Sequence, residues 1–235
     1  ADDDFVLSES LDFPNAIVNS NTVDPINLAF AIDDGSGPVS IPVSKNSDFA
    51  VVFVQFTVAA DNLASACNGD GGNQLGCTDC PCGNNAAAGT QGGCINSATQ
   101  SGRLIASGNP QVGADTLHFD MTGGNVKTFA VLVSGANQLP QSGACPPGSG
   151  IPSPTLDGLR CVGGSLVRHG SRSLDATGST SSGWGPPANP TGGIAAQGNF
   201  SAGQTRHFQV FYRENPVLGC TTGQNTTNSI SVTFQ

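Results

Sequence analysis

The residues best suited to binding a metal or forming covalent bonds lie in one cysteine-rich stretch between residues 67 and 94. The eight cysteines are Cys67, Cys77, Cys80, Cys82 and Cys94 in this stretch, followed by Cys145, Cys161 and Cys220. Thiols at such spacings can either ligate zinc or form disulfides. The stretch contains no histidine, and an even number of cysteines is typical of a disulfide framework, so we expect disulfides.

The pairing of these cysteines is not readable from their order, but two of them stand out. Cys145 and Cys161 bracket one proline-rich loop, so we predict that they form a pair, which would contribute about 3 kcal/mol in the chain-entropy model. Cys220 would then pair back to the 67–94 stretch or stay free. Because disulfides persist in oxidising compartments, we expect a secreted, extracellular protein located at the cell surface.

A second candidate for chemistry lies inside the same stretch, where the run from Asn68 to Asn73 resembles a calcium loop. Calcium prefers oxygen ligands on a backbone bent by glycine. The candidate ligands are Asn68, Asp70, Asn73 and Asp79. Asp79 is twelfth when Asn68 is counted first, but a bidentate glutamate is usual there. Asx-Gly turns are also common in loops. We therefore predict no cofactor, with calcium as the alternative.

The remaining polar residues show no catalytic motif. The three histidines lack a neighbouring Ser/Asp pattern, and the Gly-X-Ser-X-Gly nucleophile elbow is absent. A carboxylate pair for glycoside hydrolysis would have to be assembled by the fold. The acidic candidates for such a pair are Asp115, Asp120, Asp157, Asp175 and Glu214. We therefore predict that the protein is not an enzyme, and a secreted hydrolase is the third hypothesis.

The single tryptophan, Trp184, is a candidate for stacking on a sugar. It lies in a Ser/Thr/Gly/Pro-rich stretch, residues 170–203, which we predict to be a long surface excursion. An exposed aromatic ring on such a loop is one way to bind a glycan. A carbohydrate-binding or adhesive module is therefore the alternative function, with extracellular glycans as partners.

Charge is distributed unevenly along the chain, whose net charge is −9. Residues 1–66 hold ten acidic side chains and one base, Lys45, whereas the seven acids and seven bases of residues 67–235 balance. Nucleic acids and anionic membranes bind basic faces. In addition, no apolar run has the length of a membrane span. We therefore expect no nucleic-acid partner and no membrane insertion.

The elements that must position these residues are strands. The chain contains 32 glycines and 15 prolines among 235 residues, a composition typical of short strands joined by tight turns. We predict an all-β, disulfide-braced β-sandwich, jelly-roll-like, with an N-terminal β extension. The domains would be an acidic N-terminal β region, 1–66, and a Cys/Gly-rich sandwich domain, 67–235.

The first strand pattern lies near the N-terminus, at residues 5–13. Its alternation places Phe5, Leu7, Leu11 and Phe13 on one face. Such a strand either pairs within its own chain or is donated to another subunit, and both alternatives stay open. Donation would make these four residues the subunit contacts.

Further alternating or apolar runs follow along the chain. Strands are predicted at 26–32, 39–43, 49–60, 103–106, 116–121, 128–134, 159–167, 205–212 and 229–234. Gly123-Gly-Asn125 favours a hairpin turn between the strands on either side of it. The last strand places Ile230, Val232 and Phe234 on one face. No segment shows a helical period.

Four motifs resemble a known family. Cys80-Pro-Cys-Gly-Asn84, Gly92-Gly-Cys-Ile-Asn-Ser97, Asp157-Gly-Leu-Arg-Cys161 and His207-Phe-Gln-Val-Phe-Tyr-Arg213 occur in this order. Together they resemble a Cys/Gly-rich β domain found repeatedly in large exported proteins of planctomycetes and some myxobacteria. The resemblance covers residues 67–235 and implies a secreted bacterial module without established activity or catalytic residues. Residues 1–66 lie outside it.

These observations favour a secreted structural protein. The hypothesis is a subunit of an extracellular filament or surface assembly, in which strand 5–13 completes a sheet of the next copy. The partners would be copies of the same chain in a homopolymer. Such head-to-tail contacts need not close, so they generate fibres.

Overall fold

The computed structural model describes residues 26–30, 39–43, 63, 65–71, 77, 79–187, 193–215 and 222–235, the first two ranges by their backbone alone. The chain divides into two compact units, Ala1–Ala60 and Asp61–Gln235. In the first unit, β1 (Ile26–Phe30) pairs antiparallel with β2 (Val39–Val43). Both strands match their sequence patterns. The predicted strands at 5–13 and 49–60 lie outside the described residues.

The described part of the second unit consists of short strands and one six-residue helix. In chain order they are β3 (Ser65–Ala66), β4 (Arg103–Ser107), β5 (His118–Thr122), β6 (Phe129–Gly135), β7 (Asn137–Gln138), β8 (Ile151–Pro152), β9 (Leu159–Arg160), β10 (Val162–Gly163), β11 (Val167–Ser173), α1 (Gly193–Gly198), β12 (Thr205–Arg213) and β13 (Gln224–Thr233). The all-β fold class with disulfides is confirmed. A sandwich with jelly-roll order of its layers stays a prediction.

A five-stranded antiparallel sheet forms the centre of this unit, in the order β11-β6-β12-β13-β3. β3 contributes Ser65 and Ala66, which pair with Ile230 and Ser229 of β13. These two residues therefore belong to the central sheet, and the second unit begins at Asp61, ahead of the predicted domain start at 67.

The central sheet is covered on both faces. On one face, Phe208 packs against Phe119 of the β4–β5 hairpin, with ring centroids 4.6 Å apart. On the other face, Val133 packs among half-cystines of the cysteine-rich segment, residues 67–94. Because successive residues of a strand point to opposite faces, β6 and β12 can contribute to both cores. The sheet thus positions the segment on one side and the hairpin on the other.

Two sequence predictions about connections are wrong. Gly123-Gly-Asn125 does not close a hairpin, because β5 pairs with β4 while β6 pairs with β11 and β12. A turn motif indicates that the chain bends locally, but it does not determine which strands pair with each other. The stretch 170–203 is not a surface excursion, because Trp184, Ile194 and Phe200 are buried in the core. Six-residue α1 was missed because it is too short to show a helical period.

Candidate functional site

Two disulfides join the cysteine-rich segment to distant parts of the second unit, and a third lies within the segment. The pairs are Cys67–Cys161, Cys77–Cys145 and Cys80–Cys94, with Cα–Cα distances of 5.9, 5.5 and 5.9 Å. The predicted Cys145–Cys161 pair is therefore wrong, because each of these residues bonds to a different cysteine of the segment. Cys145 and Cys161 are near each other in sequence, but in the fold they bond to other cysteines.

The remaining cysteines extend this framework. Cys82 is also disulfide-bonded. Cys220 lies outside the described residues, so the prediction that it pairs back to the segment or stays free remains a prediction. Because the described cysteines are oxidised, their thiols are not zinc ligands, and disulfides are the form that the sequence favoured. Such a framework is typical of an oxidising, extracellular environment.

The segment lies directly against the backbone of β13. A Cβ on Gly93 would stand 1.8 Å from the carbonyl oxygen of Thr226, so only glycine permits this approach. Gln209 of β12 holds the backbone on either side of Arg160, next to the half-cystine Cys161. Its side-chain oxygen accepts the N–H of Cys161 at 3.0 Å, and its amide donates to the Leu159 carbonyl at 2.9 Å. The sheet and the segment therefore form one packed body.

The described calcium candidates make hydrogen bonds within the segment. Asn68 Oδ1 accepts the Gly92 N–H at 3.2 Å. Asp70 Oδ2 accepts the Gly89 N–H at 3.0 Å, and Asp79 Oδ1 accepts from the side chain of Asn85 at 3.1 Å. Each of the three oxygens thus accepts a hydrogen bond from another residue of the segment, and calcium binding there stays a prediction. Asn73 lies outside the described residues.

The predicted glycan contact is a core residue. Trp184 is 0% exposed, and its indole N–H donates to the carbonyl of Gly170 at 3.0 Å. Its backbone also bridges to Phe119 of β5. A ring enclosed in this way cannot stack on a sugar, so the proposed role of Trp184 is wrong. Composition suggested a surface loop, but the large apolar residues of that stretch fold inward.

The predicted subunit contacts fall on the other unit of the chain. Phe5, Leu7, Leu11 and Phe13 lie outside the described residues, so their role stays a prediction.

Two of the acidic candidates are brought together by the fold. Asp157 is fully buried, and its Oδ1 accepts the Thr222 hydroxyl at 2.7 Å. Glu214 is 7% exposed, and its Oε2 accepts the Ser97 N–H at 2.7 Å. Burial raises the pKa of Glu214 to about 7, and the nearby charge of Asp157 acts in the same direction. The sequence named both acids but gave no sign that they pair.

These carboxylates belong to a buried polar layer that pattern analysis missed. The buried polar members of β13 are Asn225, Thr226, Thr227, Asn228 and Ser229. The side-chain amide of Asn228 makes two hydrogen bonds with the backbone of Leu104, as a residue of a neighbouring strand would. It accepts from the Leu104 N–H at 2.8 Å and donates to the Leu104 carbonyl at 3.2 Å. The sequence does contain a polar run, Gln224–Ser229, next to a predicted strand. Polar runs usually indicate loops, so this one was not recognised as part of a strand.

A serine and a histidine also meet inside the second unit. Ser134 Oγ lies 2.8 Å from Nε2 of His169, across the paired strands β6 and β11. Burial lowers the pKa of His169 to about 4, and Arg206 acts in the same direction. A serine with a neutral imidazole is the beginning of a nucleophilic pair, but both side chains are buried.

The described surface depressions lie elsewhere. One, of about 500 Å³, is lined by the Cys77–Cys145 disulfide and by Pro140 and Pro152. Another, of about 780 Å³, is lined by Asp115, Asn199 and neighbours of α1. Neither is lined by Asp157, Glu214, Ser134 or His169. The polar pairs are therefore not placed where either depression would deliver a substrate.

The central sheet ends on one side at β11, an edge strand with several exposed residues. Within the described residues it pairs with β6 alone, and a register shift between Arg168 and Ser171 indicates a bulge. Arg168 is exposed on this strand. Phe129, opposite Ser173 in the pairing, is 61% exposed, and Leu166, next to the strand's first residue, is 49% exposed. Apolar side chains thus stand exposed at both ends of a basic sheet edge.

No protein-family model matches the sequence, and no curated protein or solved structure matches it either. The resemblance to the planctomycete and myxobacterial domain therefore stays a prediction. The described part of the chain contains no helix with the length and hydropathy of a transmembrane span.

Proposed function

We propose that the protein is a secreted structural subunit of an extracellular filament or surface assembly. Subunits would join by β-strand addition, with strand 5–13 of one copy pairing with a sheet edge of the next. The β11 edge is the observation that supports this proposal. It offers one backbone edge without a strand partner among the described residues, which is what an added strand requires.

The chemistry of this edge complements the proposed donor. Arg168 and Arg172 lie on β11, whereas residues 1–66 carry an excess of nine acidic charges. The exposed Phe129 and Leu166 offer apolar contacts at the two ends of the strand. Bulges and basic residues protect an edge against indiscriminate pairing. The same features favour an acidic donor strand with apolar anchors over other strands.

The adhesive alternative has no comparable support. Its designated contact, Trp184, is buried, so glycan binding would require another surface. The filament hypothesis does not depend on Trp184, and it uses the disulfides as covalent bracing of each subunit outside the cell. We therefore propose one function.

Deletion of residues 1–14 tests the donor strand. We expect the truncated protein to stay folded and to form no fibres in electron micrographs, because the anchors Phe5, Leu7, Leu11 and Phe13 are gone. A full-length variant with Ser8→Ala and Ser10→Ala, on the opposite face of the strand, is the matched control and should assemble. Fibres formed by the deletion variant would show that another contact joins the subunits.

Charge reversal tests the acceptor edge. We expect Arg168→Glu to slow assembly, measured by light scattering, because the edge would then repel an acidic strand. Replacing Glu9 and Asp12 by lysine in the same chain should restore part of the rate. Arg103→Glu, an exposed site on β4, is the control. Equal effects of the two reversals would argue against β11 as the acceptor.

A further inference from the structure

Two Asn-X-Ser/Thr triplets, the acceptor sequence for N-linked glycans, occur in the chain as Asn199-Phe-Ser201 and Asn225-Thr-Thr227. The fold places them in opposite environments, because the first lies at the surface and the second in the core. We propose that Asn199 is an N-glycosylation site of the folded protein and that Asn225 is not modified. This inference does not rest on strand addition.

Asn199 lies in the turn that ends α1. Its N–H donates to the Ala196 carbonyl at 3.2 Å, and the N–H of Phe200 donates to the Ala195 carbonyl at 2.9 Å. These two bonds form a Schellman motif, in which Asn199 takes the left-handed position with a φ of 50°. Because backbone groups alone close this turn, the side-chain amide of Asn199 is not needed to hold it.

The acceptor side chain is accessible to another molecule. Asn199 and Ser201 are both exposed, and neither side chain bonds to another described residue. Phe200, between them, is 5% exposed, and its ring centroid lies 5.1 Å from that of Phe234 in the core. Asn199 also lines the surface depression of about 780 Å³ beside α1, which gives space for an attached sugar. The triplet is therefore anchored by its central residue and open at both ends.

The second triplet is enclosed. Asn225 is 0% exposed and Thr227 is 1% exposed. The Asn225 amide donates to the Cys94 carbonyl at 3.4 Å, and the Thr227 hydroxyl donates to the Asn228 carbonyl at 2.8 Å. Protein interiors are close-packed, so a sugar on Asn225 would separate β13 from the cysteine-rich segment. Of the two triplets, only the first is accessible in the folded protein.

The modification replaces one bond at the sugar by another. The donor class is an oligosaccharide joined through its C1 atom to a lipid pyrophosphate. Nδ2 of Asn199 bonds to C1, the C1–O bond breaks, and the lipid pyrophosphate leaves with the electron pair. Nδ2 loses one proton to a base of the transferase, which recognises the hydroxyl of Ser201. Such transfer to a surface loop suits an exported, disulfide-bonded protein.

Mass spectrometry of the protein isolated from the cells that naturally produce it tests the proposal. Trypsin separates the triplets into peptide 173–206, which contains Asn199, and peptide 214–235, which contains Asn225. We expect the first peptide to carry sugar masses that fragmentation places on Asn199. The second peptide, released by reduction, should carry none.

Variants expressed in the same cells separate the acceptor from the turn. Asn199→Gly should fold and lose the sugar, because glycine is the preferred residue at this left-handed position. Ser201→Ala should also lose the sugar, although Asn199 is still present, because the triplet requires a hydroxyl. Ser201→Thr keeps a hydroxyl at the same exposed position and is the matched control, so it should retain the sugar.

Four results would overturn the proposal. They are peptide 173–206 without sugar in the natural protein, sugar located only on its serines or threonines, sugar retained on Asn199 in Ser201→Ala, and sugar found on Asn225. The first two would show that Asn199 serves only the turn after α1. The third would show that the triplet is not what the transferase recognises, and the fourth that burial does not select between the two asparagines.

Discussion

Burial decides what individual aromatic and polar side chains of this protein can do. Trp184 and His169 are residue types that bind sugars and catalyse proton transfer when they are exposed. Here the indole donates to a backbone carbonyl, and the imidazole lies between Ser134 and the rings of Phe200 and Phe208. Their contribution is therefore to the stability of the second unit.

Truncation of the tryptophan measures its structural role. We expect Trp184→Ala to lower the free energy of unfolding by about 3–5 kcal/mol, because a fully buried ring leaves a cavity. Urea denaturation of the oxidised protein checks this. Val126→Ala, at an exposed site, should change stability by less than about 0.5 kcal/mol. A small effect of Trp184→Ala would mean that the ring is not buried in solution.

The lowered pKa of His169 makes the stability of the second unit depend on pH. Its pKa falls from 6.5 to about 4 on folding, so the unfolded chain binds the proton more readily. The fold accommodates the neutral ring, so the stabilisation that depends on the neutral ring is complete above pH 6.5. It is lost as the pH falls from 6.5 towards 4, by on the order of 3 kcal/mol. Ser134, Gln197 and Arg206 face the ring from β6, α1 and β12.

Urea denaturation at several pH values tests this sign. The raised pKa of Glu214 opposes this effect in the wild type, because it adds stability as the pH falls over nearly the same range. His169→Asn should therefore gain unfolding free energy relative to the wild type as the pH falls from 6.5 to 4, whereas Val126→Ala, at an exposed site, should follow the wild type. If both variants retain the wild-type slope, another group is responsible for the acid sensitivity.

At the scale of elements, the buried polar strand β13 replaces apolar packing by hydrogen bonds. Its side chains bond to the cysteine-rich segment and to β4, so several connections share one strand. The approach is close enough that Gly93 meets the Thr226 carbonyl. Buried polar networks tolerate change poorly when their geometry is disturbed, because each lost bond leaves an unsatisfied group.

Gly93→Ala tests this docking. The added methyl group would overlap the Thr226 carbonyl, so we expect a loss of stability of about 1–3 kcal/mol or more. Gly83→Ala is the comparison, since a Cβ there meets no atom within 4 Å and costs only positive-φ strain, about 1–2 kcal/mol. Thermal denaturation under oxidising conditions measures both. A Gly93→Ala protein as stable as the wild type would contradict the close contact.

At the scale of the whole molecule, disulfides join segments that are far apart in sequence. Cys67–Cys161 closes a separation of 94 residues and Cys80–Cys94 one of 14. A long bridge restricts the unfolded chain more than a short one. The cysteine framework therefore acts on the whole second unit, even though most of its members lie in one segment.

We expect the removal of a single disulfide to reduce stability more when the disulfide closes a longer loop. In the chain-entropy model, losing Cys67–Cys161 costs about 4.7 kcal/mol and losing Cys80–Cys94 about 3 kcal/mol. Paired Cys→Ala variants, compared by urea denaturation, provide the measurement. Peptide mapping without reductant should recover the Cys67–Cys161 and Cys77–Cys145 pairs. Recovery of a Cys145–Cys161 peptide would contradict the arrangement described above.

Local features of this protein follow from its amino-acid sequence. Alternation in the runs around Phe208 and Ile230 indicated strands, because a side-chain period of two is a local property. Glycine, proline and cysteine content indicated an all-β chain braced by disulfides. The buried face of Ile230, Val232 and Phe234 follows from the same period.

Contacts between residues that are distant in sequence depend on the folded structure. The partner of Cys161, the enclosure of Trp184 and the approach of Asp157 to Glu214 depend on strand order. Strand order is set by non-local packing and has no counterpart in the spacing of neighbouring residues. A buried polar strand such as β13 is hidden for the same reason: its side chains are satisfied by groups more than a hundred positions away in the chain.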